Sequence, residues 1–184
     1  MFTSNYTKYK TGMFMGTDIS LTQFDGTTAK ISTGTSQPAL CGDIGLYMQQ
    51  AHCRALASRS SSSGSQNDCY AGIYFGSGIT PPVVNDYTLE VPITTGLSIV
   101  NTASAAMTHD AKRYSYCNTI ELTNDVSVAI TISEIGLFGQ STSSNTRKPV
   151  LYERTVLETP IVIEPGETKV IRYWVDVYQF FGGE

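Results

Sequence analysis

The chain has 184 residues, which is enough for one well-filled core but cramped for two, so we expect a single domain. Only 15% of the residues are charged, whereas Ser and Thr fill 42 positions and aromatic residues make up 10%. This composition favours an all-β or β-dominated fold. The formal net charge of -4 and the scattered Lys and Arg residues argue against direct binding of nucleic acid, because phosphate neutralisation needs clustered cations.

The sequence contains no pattern typical of a membrane segment or an export signal. No apolar run reaches about eighteen residues, and the N-terminus lacks a basic start followed by an apolar stretch. We therefore expect a soluble protein that does not bind a membrane.

The four cysteines, at positions 41, 53, 69 and 117, match neither a CxxC zinc motif nor a redox motif. We expect free thiols, as is usual for a protein made in a cytoplasm, with a disulfide between Cys53 and Cys69 as the alternative. His52 stands beside Cys53, but His109 is distant in the sequence and no CxxC accompanies either histidine. The pattern therefore predicts neither a metal site nor a cofactor site.

In chain order, residues 1–42 are expected to form an N-terminal arm and a β-hairpin. Residues 1–17 lack a period but carry apolar side chains at Phe2, Tyr6, Tyr9, Met13, Phe14 and Met15. An apolar segment without its own fold needs a surface to lie on. The arm either packs on its own domain or reaches an adjacent subunit, and the sequence leaves both options open.

The hairpin is indicated by Asp25-Gly26 between two short segments, 18–24 and 27–32. Asp-Gly tolerates the positive φ angles of a tight turn. The side chains expected to face inward are Ile19, Leu21 and Ile31.

Residues 43–184 are expected to form a β-sandwich domain with one helix near 43–57. Asp43 is placed to cap the first turn, and the apolar residues at spacings of three and four are Ile44, Tyr47, Met48, Ala51 and Ala55. The apolar face of this helix would pack on a sheet. The Ser-rich segment over 58–67 that follows is typical of a loop.

A short strand over 70–75 precedes Gly76-Ser77-Gly78 and Pro81-Pro82. Glycines around a serine also occur in the nucleophile elbow of hydrolases, but the full G-x-S-x-G pattern and its strand-to-helix context are missing. The glycine segment is therefore interpreted as a turn.

The clearest β-hairpin pattern lies between residues 113 and 138. Asn124-Asp125 supplies a turn between two alternating strands whose even-numbered side is expected to be buried. The apolar residues on that side are Tyr114, Tyr116, Ile120, Leu122, Val126, Val128, Ile130 and Ile132. At Glu134 the apolar phase shifts to odd positions, which predicts a bulge or a strand end.

Glu134 is thus a carboxylate beside a core. We expect it to be hydrogen-bonded to nearby backbone or paired with an arginine such as Arg154, because buried polar groups find partners. A catalytic role would need a second acid or a base, and the sequence identifies neither.

Strands over 150–157, 161–164 and 168–178 follow, with a type II turn predicted at Pro165-Gly166. One side of the last strand carries Ile171, Tyr173, Val175 and Val177, and the other carries Arg172, Trp174, Asp176 and Tyr178. The polar and aromatic side makes Trp174 and Tyr178 candidates for an interface. Short strands separated by such turns are typical of a β-sandwich or jelly-roll-like fold.

Three segments carry a resemblance to known proteins: YAGIYFGSGITPPVVNDYTLE at 70–90, ITISEIGLFG at 130–139 and VLYERTVLETPIVIEPGETKVIRYWVDV at 150–177. They are similar to a group of small virion proteins of tailed bacteriophages, in which a glycine-rich turn precedes an "EIGLF" strand and a hairpin with "PGE" closes the sheet. The resemblance covers roughly 43–178, including the helix near 43–57. It implies a role in head decoration, head fibre base, neck or tail, without enzymatic activity.

The resulting hypothesis is a non-enzymatic structural subunit of a bacteriophage virion, made in the host cytoplasm and acting through contacts with copies of itself and with other virion proteins. Open strand edges and aromatic faces become useful when partners cover them. The candidate interface residues are Phe2, Tyr6, Tyr9, Phe14, Trp174 and Tyr178. The sequence identifies no set of residues that would carry a catalytic mechanism.

The alternative hypothesis is a glycan-binding adhesion module of a phage fibre or tail. Trp174 and Tyr178, if exposed beside Asp176, would stack on a sugar and hydrogen-bond to it. Nothing in the sequence fixes these side chains around a concave site.

Overall fold

The computed structural model describes residues 1–8, 19–31, 51–56, 59–60, 71–101, 108–109, 113–143 and 146–178. These residues contain a short helix over residues 4–8 and eleven β-strands. The strands are β1 (Ile19–Thr22), β2 (Thr28–Ile31), β3 (Ala51–His52), β4 (Arg59–Ser60), β5 (Gly72–Gly76), β6 (Leu97–Asn101), β7 (Thr108–His109), β8 (Arg113–Asn124), β9 (Ile130–Ser143), β10 (Thr146–Ile163) and β11 (Thr168–Tyr178). No helix among the described residues is long and apolar enough to cross a membrane.

The strands form one hairpin and two larger sheets. β1 pairs with β2, and the five-stranded sheet has the order β3-β5-β9-β10-β4. In the four-stranded sheet, β8 pairs with β11 on one side and with β6 and β7 on the other. All paired strands run antiparallel except β3 and β5. The β-dominated prediction is confirmed, whereas the jelly-roll-like form stays a prediction.

The main hydrophobic core lies between the two larger sheets. Its buried members are Ala51, Ile73, Phe75, Ile132, Ile135, Leu137 and Ile163 from the five-stranded sheet, and Leu97, Ile120, Leu122, Ile171 and Tyr173 from the four-stranded sheet. The Tyr173 hydroxyl donates to Glu153 Oε2 at 2.9 Å across this core. Burial, and then the charge of Glu153, raise the pKa of Tyr173 well above its ordinary value, so the hydroxyl stays a donor.

The outer face of the five-stranded sheet is also covered. Tyr74, Phe138 and Leu151 from this sheet form a second buried cluster with Leu89, which lies in the segment between β5 and β6. As a result, β9 is buried without interruption from residue 132 to 139. A strand buried on both faces is apolar at even and odd positions alike.

This double burial accounts for the apolar phase shift at Glu134. β9 does not end there, because Glu134 pairs in register with Val156 of β10. The irregularity falls on β10, whose register with β9 shifts between Val156 and Ile161.

The hairpin predicted between residues 113 and 138 is wrong in its pairing. β8 and β9 lie in different sheets, so residues 125–129 cross from one sheet to the other. Ile120, Leu122 and Ile132 are buried as expected. Val126 and Val128 are exposed, because they lie on the crossing and not in a paired strand.

The turn predicted at Pro165-Gly166 is present. Glu167 N donates to Glu164 O at 2.9 Å, and Gly166 has a φ of 75°. The turn joins β10 to β11, which belong to different sheets, so the hairpin expected from the resemblance does not form.

Asn124 joins these two crossings. Its buried side-chain Nδ2 donates to Val128 O and to Ile163 O, both at 2.8 Å, and its Oδ1 accepts from Val126 N at 2.9 Å. Its backbone nitrogen donates to Glu167 O at 3.0 Å. One side chain therefore fixes the spacing of both connections at this end of the sandwich.

The hairpin predicted around Asp25-Gly26 is confirmed by the pairing of β1 with β2 and by a φ of 78° at Gly26. Leu21 is fully buried, as expected. The side chains of Ile19 and Ile31 lie outside the described residues.

The helix predicted near 43–57 is wrong at its C-terminal end. Ala51–His52 form β3, which lies parallel to β5, and Ala51 N donates to Asn101 Oδ1 at 2.9 Å. The pairing of Ala51–His52 with the buried strand β5 outweighs the helical pattern of the local sequence. Residues 43–50 and 57 lie outside the described residues, and so does most of the Ser-rich segment, of which Arg59–Ser60 form β4.

We predict that Asn124→Ala lowers the free energy of unfolding by about 1–3 kcal/mol, because two carbonyl groups lose their donor in a buried junction. Urea denaturation followed by tryptophan fluorescence measures this. Asn85→Ala, at an exposed position, is the matched control and should change the free energy by less than about 0.5 kcal/mol. Equal effects of the two substitutions would contradict the role of Asn124.

Candidate functional site

Between β5 and β6 the chain forms a closed loop over residues 77–91. Ser77 N donates to Val91 O at 2.8 Å, and just outside the loop Ile93 N donates to Phe75 O at 2.8 Å. Gly76 and Pro92 form an isolated antiparallel bridge at the same place. The two ends of the loop are therefore held side by side, as in Ω-loops, which frequently carry function.

Leu89 anchors the loop on the outer face of the five-stranded sheet. It is buried in the cluster with Tyr74, Phe138 and Leu151. Gly136 of β9 makes room for it, since a Cβ at that position would lie 2.8 Å from Leu89 Cδ2. The first glycine of the EIGLFG segment, Gly136, is thus required by the packing of the loop.

Glu134 is the second anchor, and its side chain is completely buried. Its Oε1 accepts from Gly78 N at 3.1 Å and from Val91 N at 2.8 Å. Its Oε2 accepts from Glu90 N at 3.2 Å. The carboxylate therefore holds backbone at both ends of the loop.

Arg154 of β10 pairs with Glu134 and extends the cluster. Nε donates to Glu134 Oε2 at 2.8 Å, Nη1 donates to Asp86 Oδ2 at 3.0 Å and Nη2 donates to Glu90 Oε2 at 3.3 Å. Burial opposes the charged form, but the bonds to Glu134 and Asp86 outweigh it and raise the pKa of Arg154 above its ordinary value. The expected pairing of Glu134 with backbone and with Arg154 is confirmed.

The other two carboxylates hold the interior of the loop. Glu90 accepts from Thr80 N at 2.8 Å and from Thr80 Oγ1 at 2.6 Å, and these bonds lower its pKa. Asp86 Oδ2 also accepts from Val83 N at 2.9 Å, and Asp86 N donates to Val83 O at 3.0 Å. The loop is thus fixed along its length without regular secondary structure.

Gly76 and Gly78 leave the space that the Glu134 carboxylate occupies. A Cβ at Gly78 would lie 2.6 Å from Glu134 Oε1 and 2.5 Å from Glu90 Cβ, and one at Gly76 would lie 2.6 Å from Glu134 Cγ. The Gly76-Ser77-Gly78 segment is therefore a cradle for a buried carboxylate. Glu134 accepts from four donors and is shielded from solvent, so it is poorly placed to exchange a proton with a substrate.

Above these anchors the loop exposes apolar side chains. Five of the twelve exposed large hydrophobic residues among the described residues belong to it: Ile79 at 72%, Val83 at 58%, Val84 at 53%, Val91 at 49% and Tyr87 at 41%. A pocket of about 270 Å³ opens beside them, lined by Thr80, Asn85, Asp86, Tyr87, Thr88, Leu89, Glu90 and Arg154. A surface that combines exposed apolar side chains with an adjacent polar pocket suits contact with another protein.

Among the interface residues predicted from the sequence, Phe2 and Tyr6 contact their own chain. Phe2 stacks on Tyr6 with ring centroids 4.3 Å apart, and Tyr6 meets Tyr152 edge-on at 6.1 Å. Thr3 N donates to Tyr152 O at 2.8 Å, and Ser4 N donates to Val84 O at 2.7 Å. Residues 1–8 therefore pack on their own chain, which is one of the two options for the arm.

Trp174 lies elsewhere, on the outer face of the four-stranded sheet, and is 50% exposed. Tyr9, Phe14 and the side chain of Tyr178 lie outside the described residues. We did not predict the loop over residues 77–91 as a site from the sequence. The signals that could have indicated it were Gly76 and Gly78 and the acidic residues after Pro81-Pro82.

His52 and the cysteines show no metal-binding arrangement in the part of the chain that the structure describes. His52 Nε2 lies 3.1 Å from Ala71 O, and burial, followed by the charge of Arg54, lowers the pKa of His52 to about 4. Cys53 and Cys117 are free thiols, as expected, whereas Cys41 and Cys69 lie outside the described residues. Burial raises the pKa of Cys53.

No protein-family model, no curated protein and no solved structure matches this chain.

We predict that Arg154→Met lowers the free energy of unfolding by about 3–5 kcal/mol, because it leaves the fully buried Glu134 without its cation. Lys148→Met breaks the more exposed pair with Asp25 and should cost at most about 1 kcal/mol. Both values come from urea denaturation. A loss for Arg154→Met no larger than that for Lys148→Met would show that the cluster does not anchor the fold.

We further predict that Gly78→Ala destabilises the protein and loosens the loop, because its methyl group would displace the Glu134 carboxylate. Ser77→Ala, between the two glycines, is the control and should leave stability within about 0.5 kcal/mol. Thermal melting and limited proteolysis across residues 77–91 measure the two effects. Equal melting temperatures for the two variants would show that the Glu134 carboxylate does not need the space left by Gly78.

Proposed function

We propose that the chain is a non-enzymatic structural subunit of a bacteriophage virion, such as a head-decoration, neck or tail component. It acts through self-association and through contacts with neighbouring virion proteins. The virion setting is supported by the resemblance of residues 70–90, 130–139 and 150–177, and the contact role is supported by the 77–91 loop.

The observation that carries the contact role is the combination of a fixed backbone with an exposed apolar surface. A flexible loop with apolar side chains would lose conformational entropy on binding, which weakens association. Here the ion cluster has already fixed the backbone, so the side chains of Ile79, Val83 and Val91 are presented in one arrangement. Preorganised apolar surfaces bind partners at lower entropic cost.

The position of the anchors also favours a contact role over a catalytic one. The charged atoms of Glu134 and Arg154 lie under the loop, with side chains 0% and 4% exposed, and they bond to the loop itself. The loop presents to solvent its exposed apolar side chains, the adjacent pocket and polar residues such as Asn85 and Glu90.

The glycan-binding alternative rests on Trp174, the one member of its set whose side chain is described. It is half exposed and lies apart from the loop, on the opposite sheet. A glycan array binding the wild type but not Trp174→Ala would replace the assembly role with adhesion.

The test of the proposal is incorporation into particles. Replacing Ile79 and Val83 by Ser removes two exposed side chains from the loop and should leave stability nearly unchanged. In particles purified from the bacteriophage that encodes the chain, we expect wild type to be present at a fixed copy number and the variant to be strongly depleted, as measured by quantitative mass spectrometry.

The matched control is Val128→Ser, which removes an exposed valine from the crossing between the sheets. It should be incorporated as efficiently as wild type. Absence of the wild-type chain from purified particles, or undiminished incorporation of the loop variant, would contradict the proposal.

A further inference from the structure

The outer face of the four-stranded sheet presents a cation between apolar side chains. On β11, Arg172 is exposed, and its neighbours on the same face, Val170 and Trp174, are 59% and 50% exposed. Val100 of β6 adds another exposed valine to this face, and the partly buried Glu121 of β8 lies between Val100 and Val170. Arg172 forms no ion pair with any residue that the structure describes.

The pocket beside the 77–91 loop has the complementary character. Asp86, Glu90 and the underlying Glu134 face a single cation, Arg154, so negative charge is in excess within the described cluster. The half-exposed ring of Tyr87 lines the pocket, and a guanidinium stacks favourably on such a ring. The exposed side chains of Val83 and its neighbours provide an apolar rim.

These two surfaces lie on opposite sides of the sandwich. The loop covers the outer face of the five-stranded sheet, because Leu89 packs on Tyr74 and Phe138 there. Arg172 points away from the core on the other sheet, because its neighbours Ile171 and Tyr173 are buried in the core. The two surfaces therefore cannot meet within one molecule, but they can meet between two copies.

We infer that copies of this chain associate head to tail, with Arg172 of one copy inserted into the loop pocket of the next. Charge and apolar character both match: the guanidinium enters the acidic pocket, while Val170 and Trp174 meet the apolar rim of the loop. Such a contact joins two different surfaces, so it generates a ring or a filament and not a closed symmetric pair. The inference rests on the proposed assembly role and names a second copy as the partner.

The test uses sedimentation velocity of the full chain over a range of concentrations. Wild type should associate beyond a dimer by mass action. Arg172→Ser, which removes the cation, and Asn85→Lys, which places a cation in the pocket, should each weaken association by roughly tenfold or more, since charge-assisted contacts of this kind are among the stronger ones. Lys169→Ser on β11 and Thr131→Lys on β9 make the same charge changes elsewhere and should associate as wild type does.

Mixing the two variants gives the sharpest result. The Arg172→Ser chain keeps a working pocket and the Asn85→Lys chain keeps a working Arg172, so an equimolar mixture should form dimers and nothing larger. Circular dichroism first establishes that both variants are folded.

A folded wild type that stays monomeric, association that neither variant weakens, or a mixture that stays monomeric would each overturn head-to-tail docking. The proposed virion role would survive all three results if the chain were still found in purified particles. Loss of the chain from particles, with self-association intact, would instead overturn the virion role alone.

Discussion

The structure depends on the buried, hydrogen-bonded ion pair between Glu134 and Arg154. Both residues lie on central strands of the five-stranded sheet, and the loop over residues 77–91 closes over them. A buried charge without a partner costs several kcal/mol, so each charge is tolerable only while the other is present. The loop backbone supplies the remaining donors, which ties the conformation of the loop to the sheet beneath it.

An ion pair of this kind is not the cheapest way to stabilise a sheet, because well-packed apolar residues often do as well or better. Its advantage over apolar packing is that the hydrogen bonds of the charged groups have a fixed direction. Leu89 attaches the loop to the sheet by apolar packing, which has no preferred direction. Glu134 accepts hydrogen bonds from particular backbone N–H groups and so fixes the orientation of the loop backbone. The result is one loop conformation with its apolar side chains turned outward. The two outer faces of the sandwich therefore expose different groups. One carries the exposed apolar side chains of the loop and its pocket, and the other carries Arg172 between Val170 and Trp174.

Much of the fold follows from local sequence signals. Alternation located the buried residues Ile120 and Leu122 of β8 and Ile171 and Tyr173 of β11. Asp25-Gly26 and Pro165-Gly166 located the turns after β1 and β10, because such turns depend on a few neighbouring residues. Strand partners were harder to predict. A turn between two alternating segments fits a hairpin and a crossing between sheets equally well. The crossing here is held by contacts of Asn124 with Ile163 and Glu167, which are distant in the sequence.

The helix signal over 43–57 failed at its end for a similar reason, since β5 offers Ala51–His52 a strand partner that the local sequence does not reveal. For the site, the sequence predicted that Glu134 bonds to nearby backbone or to an arginine such as Arg154. It did not predict that Asp86 and Glu90 join them, or that Gly76 and Gly78 make room for the carboxylate, because these contacts bring together segments far apart in the chain.

The central claim is that Glu134 holds the loop, and amide hydrogen exchange tests it most directly. The amides of Gly78, Glu90 and Val91 donate to the Glu134 carboxylate, although they lie in a loop without regular secondary structure. If the account is right, these three amides exchange as slowly as core amides of β9 such as that of Ile135. Exchange as fast as at the exposed Asn85 would show that the buried carboxylate does not fix the loop.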